Sequence, residues 1–236
     1  MANKEVKVVS ESLPAFLTPG QARGSEHVTQ ADLVIPRLEL IQALSPCRKK
    51  SDPSYIEGAE EGMLYNSVTR ELYGSEAKVV PVSYRKEWLV WKDRQKGGGF
   101  RGAFPSSDAA QAAIRLMEDG ADCEVLDTAQ HFCLLVHEDG SAEEIVVSMS
   151  RTKLKASRKW NSLIRITELD SFAKWYKILA VTANNAQNQE YHTFDVANGG
   201  FVSEEIYRRA EKLWAQVEAG EAKVSTDFEA EAQAEY

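Results

Sequence analysis

The sequence predicts a mainly β protein with helical insertions, which places it in the mixed α+β class. Segments rich in branched and aromatic residues recur along the chain, and turn signals such as Asp139-Gly140 separate them. Elsewhere the apolar spacing changes to that of a helix. About eight short strands with two or three helices indicate a small barrel or sandwich that carries the helices as insertions.

Several segments have the composition of strands. They are residues 63–69, 77–92, 123–127, 131–137, 143–149, 174–183 and 190–197. The polar residues 184–189 join the last two as a long hairpin. The segment 33–46 fits two structures, because Pro36 could open a short helix or the apolar run could form a buried strand. Residues 51–62 predict a loop, and the glycines of 97–102 predict a flexible loop tip.

Three segments predict helices. Ser106 or Ser107 can cap the first, which runs to about Asp119 and stops at Gly120. Residues 152–166 form the second, with Trp160, Leu163 and Ile164 on one face. The third begins at Ser203 and ends at Gly220. Its predicted apolar face consists of Ile206, Ala210, Leu213, Trp214 and Val217.

The predicted organisation is a flexible arm over residues 1–29, a single domain over 30–217 and a disordered acidic tail over 218–236. No apolar run approaches the ~20 residues that span a bilayer, and Met1–Ser10 lacks the apolar core of a secretion signal. Three scattered cysteines, Cys47, Cys123 and Cys133, indicate reduced thiols in a cytoplasmic protein.

Charge is strongly polarised along the chain, although the net charge is -8. The segment from Arg151 to Lys177 is basic and contains only Glu168 and Asp170 as acids. Its cations are Arg151, Lys153, Lys155, Arg158, Lys159, Arg165, Lys174 and Lys177. The C-terminal end is acidic, with Lys223 as the one cation after residue 217. A basic body with an acidic tail is compatible with nucleic-acid binding, because binding responds to local potential.

The strand near residue 84 is the first candidate binding site. Alternation would place five of its side chains on one face: Tyr84, Lys86, Trp88, Lys92 and Arg94. The neighbouring loop adds Lys96, Phe100 and Arg101. Bases of a single strand stack on such rings, at ~1–3 kcal/mol each, while the cations neutralise phosphates. The alternative is a core face. That face would contain Val80, Val82, Tyr84, Trp88 and Val90.

The basic helix is the second candidate site. Its predicted phosphate contacts are Lys153, Lys155, Arg158 and Lys159, and each contact would release a counterion. Trp160 is expected to be buried. The alternative is a solvated basic helix without a partner, which is less favourable because like charges at this spacing repel.

The tail is the third candidate site. Its predicted partner-binding residues are Asp227, Phe228, Glu229, Glu231, Glu235 and Tyr236. An acidic strand with rings can imitate nucleic acid and dock on the protein's own cationic groove, or it can recruit partner proteins. The alternative is a tail that only increases solubility.

Signals for catalysis are weak, and the sequence predicts no catalytic residue, metal or cofactor. His131, Cys133 and His137 alternate onto one strand face, but no CxxC or HxxxH pair supports a zinc site. The glycine-rich segment that starts at Gly97 lacks the GK[ST] of a phosphate loop. A metal-dependent enzyme that uses these three side chains remains the weakest hypothesis.

The sequence resembles bacteriophage single-stranded DNA-binding proteins of the T7-like type. The resemblance rests on LVIPRLELIQALSP, GMLYNSVTRELYG, EWLVWKDRQKGGGFRG and GGFVSEEIYRRAEKLW, and on the acidic tail that ends in an aromatic residue. It implies an OB-like barrel, a groove that binds single strands with little sequence preference, and a tail that competes with DNA and contacts replication proteins. Only Tyr236 and its acidic neighbours match a family feature. Alanines and Gln233 dilute the tail, which departs from the family pattern.

The predicted function is therefore single-stranded DNA binding in a phage replication or recombination system, in the host cytoplasm. No membrane partner is expected, and a homo-oligomer is compatible with the sequence. The alternative is a phage protein-interaction factor, of the host-takeover or DNA-mimic type, that does not bind DNA even without its tail.

Overall fold

A computed structural model describes residues 34–220, apart from the side chain of Arg94. The strands are β1 (Leu38–Leu40), β2 (Leu64–Asn66), β3 (Leu72–Gly74), β4 (Glu76–Lys92), β5 (Phe100–Phe104), β6 (Cys123–Val136), β7 (Ala142–Ser150), β8 (Lys174–Asn184) and β9 (Glu190–Phe201). The helices are α1 (Ser107–Leu116), α2 (Leu154–Arg165) and α3 (Glu204–Glu218). Among these residues no helix is both long and apolar enough to cross a membrane. The predicted arm (1–29) and the tail from residue 221 lie outside the described residues.

Within residues 34–220, the strands form two antiparallel sheets. The large sheet has the order β7-β6-β4-β8-β9, and a small sheet has the order β1-β2-β3. The long strand β4 pairs with β6 along one edge. Along its other edge it pairs first with β8 and then with β5. The mainly β, α+β class is thus confirmed.

The described strands do not close into the predicted OB-like barrel. Closure would require β7 to pair with β9, which it does not. The free edge of β7 instead takes the segment before β1, where the amide of Val146 donates to the carbonyl of Pro36 at 2.8 Å. This contact joins the small sheet to the large one and leaves the large sheet open.

A β-bulge at Val82 changes which face the β4 side chains occupy. The register with β6 shifts between Pro81 and Ser83. Val80 and Val82 pack in the core beneath α3. Beyond the bulge, Tyr84 lies opposite His131 and contacts its ring on the other side of the sheet. The alternative of one core face that contains Val80, Val82 and Tyr84 is therefore wrong.

Apolar clusters cover both faces of the large sheet. One lies between the sheet, α2 and the small sheet, and Trp160 at its centre is fully buried, as expected. The other lies beneath α3. Four of the five residues predicted to form the apolar face of α3 pack there: Ile206, Ala210, Leu213 and Val217. The fifth, Trp214, is 45% exposed, and its predicted place in that face is wrong.

Local signals located most element boundaries. The Ser106 hydroxyl accepts the amide of Ala109 and caps α1, which ends at Leu116 and so earlier than predicted. The two strands predicted over 123–137 are one strand, β6. The segment 33–46 contains β1, and a 3-10 turn (Pro46–Arg48) begins at its last residue. The predicted loop tip is shorter, because β5 begins at Phe100.

Candidate nucleic-acid interface

One face of α2 is a stripe of exposed cations. The stripe consists of Lys155, Arg158, Lys159 and Arg165, and it is called the α2 stripe below. Spacings of three, four and seven residues bring these side chains to one side of a helix. The opposite side is buried through Ala156, Ser157 and Trp160. The helix contains no acidic residue, so the stripe is purely basic.

Three cations of the α2 stripe lack an ion pair within residues 34–220. The Lys159 ammonium lies 2.7 Å from a carboxylate oxygen of Asp195, whereas Lys155, Arg158 and Arg165 form no ion pair in this part of the chain. Lys155 also lies in the first turn, where the helix dipole disfavours a positive charge. The stripe therefore lowers helix stability by some tenths of a kcal/mol for each like-charge pair. The negative charges of a bound polyanion would offset this repulsion between the cations.

A second set of side chains lies on β4 beside α2. The Tyr84 ring is 44% exposed, and its centroid is 5.0 Å from that of His131. His131 in turn stacks on Trp160 at 4.5 Å, with an interplanar angle of 20°. These contacts place Tyr84 next to α2, at the surface end of a row of rings.

Lys86 and Trp88 continue the surface that begins at Tyr84. The Lys86 ammonium is 5.0 Å from the Trp88 ring centroid and 3.0 Å from a carboxylate oxygen of Asp127. Trp88 is half-buried and lies directly opposite Asp127 in the sheet. The ammonium is thus held between a ring and a carboxylate, and its charge is partly neutralised.

The predicted residues at the far end of β4 form a separate cluster. Lys92 and Arg101 both pair with Asp119, at 3.0 and 2.8 Å. The hydrogen bond from Arg101, followed by that from Lys92, lowers the pKa of Asp119 to about 2. Phe100 packs against Trp91, with ring centroids 5.1 Å apart. Asp119 therefore offsets part of the positive charge of these two cations.

Lys153 differs from the other predicted phosphate contacts. It lies in the 3-10 turn Arg151–Lys153 before α2 and is 9% exposed. Its ammonium is 5.1 Å from the ring centroid of Phe194. Lys153 therefore does not belong to the α2 stripe.

The side chains of the weak zinc hypothesis are not brought together. His131 is buried, with Nε2 2.9 Å from the Ser157 hydroxyl, and burial lowers its pKa to about 3. Burial raises the pKa of the Cys133 thiol. His137 lies elsewhere, 3.3 Å from a carboxylate oxygen of Glu143. Within residues 34–220, no group of three or more His, Cys, Asp or Glu side chains could hold a metal ion.

Of the predicted residues, the structure brings together Tyr84, Lys86 and Trp88 on one face of β4, and His131 links Tyr84 to Trp160 of α2. Two residues outside the predicted set contribute to this surface, one as a further cation and one as a buried support. Arg165 lies seven residues after Arg158, a spacing that could have indicated a shared face. His131 fixes Tyr84 in place, and no local signal identifies this role, because the contact joins two strands.

Comparison with protein families gives a match over most of the chain. A family model described as Pam3 phage gp34-like protein matches residues 4–223. No curated protein and no solved structure matches the chain.

Proposed function

The chain belongs to the Pam3 phage gp34-like family, and we propose that it binds single-stranded DNA without a chemical step. Its place would be a phage replication or recombination system in the host cytoplasm. The family membership confirms the predicted phage origin, while DNA binding is the proposal. The observation that carries it is the α2 stripe together with the exposed ring of Tyr84, which His131 links to Trp160 of α2.

A single strand requires both features of this surface. Phosphates need cations that can exchange a counterion for the strand, and Lys155 and Arg158 have no competing ion pair within residues 34–220. Bases need exposed rings, and stacking on one ring contributes ~1–3 kcal/mol per base. Tyr84 supplies such a ring, and Trp88 supplies a half-buried second one on the same face. Neither feature selects a base, so low sequence preference follows.

The acidic tail would regulate access to this surface and recruit partner proteins. Its candidate contacts lie outside the described residues: Asp227, Phe228, Glu229, Glu231, Glu235 and Tyr236. The last described residues of α3 lead directly into it. Removal of the tail is therefore expected to strengthen single-strand binding at low salt.

The test is fluorescence anisotropy with a labelled oligo-dT over a salt series, with the matching duplex as competitor. It compares the full chain, a variant that ends at Gly220, and the double variant Lys155→Glu/Arg158→Glu. The matched control is Lys212→Glu, because Lys212 is an exposed cation of α3 on the opposite side of the sheet. Single-strand binding that the double variant loses and the control keeps would support the proposal.

Absence of binding by the full chain and the shortened variant at low salt would refute DNA binding. That outcome would favour the protein-interaction factor, which predicts no DNA affinity with or without the tail. A pull-down with the full chain as bait would then identify the protein partner.

A further inference from the structure

A small cleft opens between the large sheet, β1 and the turn that precedes α2. Its lining includes three cations, Arg37, Arg151 and Lys153, and one carboxylate, Glu39. The hydroxyls of Thr128, Ser148 and Ser150 complete its polar wall. The cleft has a volume of about 40 Å³, enough for roughly three water molecules.

Two of the cations are held within the protein. Arg37 is 2% exposed, and its Nη1 donates to the Ser148 hydroxyl at 2.9 Å. That hydroxyl donates onward to the side-chain oxygen of Gln130, so the guanidinium has a defined position on the wall. Lys153 is almost as deeply buried. The Arg37 guanidinium beside a hydroxyl is a group that binds phosphate in proteins, and Lys153 adds a second positive charge to the lining.

The backbone at the mouth of the cleft is strained. Arg151 has a φ of 50°, in the left-handed region that non-glycine residues rarely adopt. Its guanidinium donates to a carboxylate oxygen of Glu124 at 2.7 Å. Strained residues of this kind persist where the surrounding structure holds them, and they cluster at ligand sites.

We propose that this cleft binds a phosphate group, supplied by a mononucleotide or by the end of a DNA strand. The cleft adjoins the first turn of α2, so a phosphate in it would lie at one end of the α2 stripe. A strand end in the cleft would direct the following phosphates along that stripe. The choice of a strand end rests on the proposed function, whereas the phosphate preference rests on the lining alone.

Calorimetric titration of the full chain with thymidine 5′-monophosphate tests the phosphate preference. Thymidine is the matched ligand without phosphate and is expected not to bind. Lys153→Met is expected to weaken the nucleotide about tenfold or more, the usual loss for a hydrogen bond to a charged group. Ser148→Ala keeps every charge and is expected to weaken it less. If circular dichroism shows that Lys153→Met does not fold, the nucleotide affinity of Ser148→Ala is compared with that of the unmodified chain. Lys212→Gln is then the control.

A second titration separates this proposal from the proposed function. It compares an oligo-dT that carries a 5′-phosphate with the same oligo-dT that ends in a 5′-hydroxyl. Tighter binding of the phosphorylated strand is expected. Binding of the nucleotide without binding of either strand would support the cleft and refute single-strand binding. Equal binding of both strands, with no heat from the nucleotide at millimolar concentration, would refute the cleft and leave single-strand binding intact.

Discussion

Neutralising two cations of the α2 stripe is expected to flatten the salt dependence of single-strand binding. Each phosphate contact adds about 0.7 to the slope of log K against log salt for a single strand. Lys155 and Arg158 are exposed and form no ion pair within residues 34–220. The variant Lys155→Gln/Arg158→Gln should therefore lower the slope by about 1.4. Between 50 and 200 mM salt, the unmodified chain should lose about sevenfold more affinity than the variant.

Anisotropy titrations with oligo-dT at four or five salt concentrations measure this slope. The matched control is Arg209→Gln/Lys212→Gln, because both residues are exposed cations of α3 on the opposite side of the sheet. Its slope should change by much less than 0.7. An unchanged slope in the Lys155/Arg158 variant, or an equal fall in the control, would refute the assignment of the phosphate contacts to α2.

Further changes separate binding from folding. Tyr84→Ala should weaken oligo-dT binding by ~1–3 kcal/mol in the same titration, while Tyr84→Phe, which keeps the ring, should bind normally; equal affinity of all three would exclude stacking on this ring. Trp160→Ala should lower the free energy of unfolding by about 3–5 kcal/mol in urea titrations, because Trp160 is fully buried, and a loss below about 1 kcal/mol would contradict its place in the core. Burial lowers the pKa of His131 to about 3. Below about pH 6.5 this side chain therefore binds a proton in the unfolded chain but stays neutral in the folded chain. Stability should fall from pH 6.5 towards 3, at up to about 1.4 kcal/mol per pH unit, and His131→Phe should reduce this dependence in urea titrations at several pH values. The pKa of Asp119 is lowered to about 2, so its pairs stabilise the fold above about pH 4 and are lost as the pH falls towards 2; Asp119→Asn should flatten the melting temperature over that range.

Local signals were sufficient to predict much of the fold. The Asp139-Gly140 turn, the polar turn over 184–189 and the cap at Ser203 act within a few residues, and the structure confirms each. The division of β6 into two strands was wrong because Thr128 and Gln130 interrupt the apolar pattern. Both are buried all the same, and Gln130 is bonded to Ser148 on the neighbouring strand.

The remaining features depend on contacts between distant parts of the chain. The bulge at Val82 exists only in the pairing of β4 with β6, so no property of β4 alone reveals it. The same holds for the charges. The sequence shows Lys92 and Arg101 as cations, but the fold brings both to Asp119. The large sheet stays open because the segment before β1 pairs with the free edge of β7. This pairing also joins distant parts of the chain.

The row of rings that ends at Tyr84 lowers the conformational entropy that this side chain loses when a ligand binds. His131 packs against Tyr84 on one side and Trp160 on the other, and Ser157 holds its edge. A free surface side chain loses about 0.5–1.5 kcal/mol of rotamer freedom when a ligand immobilises it. Tyr84 is already constrained on its inner side, so a planar ligand that stacks on its outer side would meet a preorganised platform and retain most of the stacking energy.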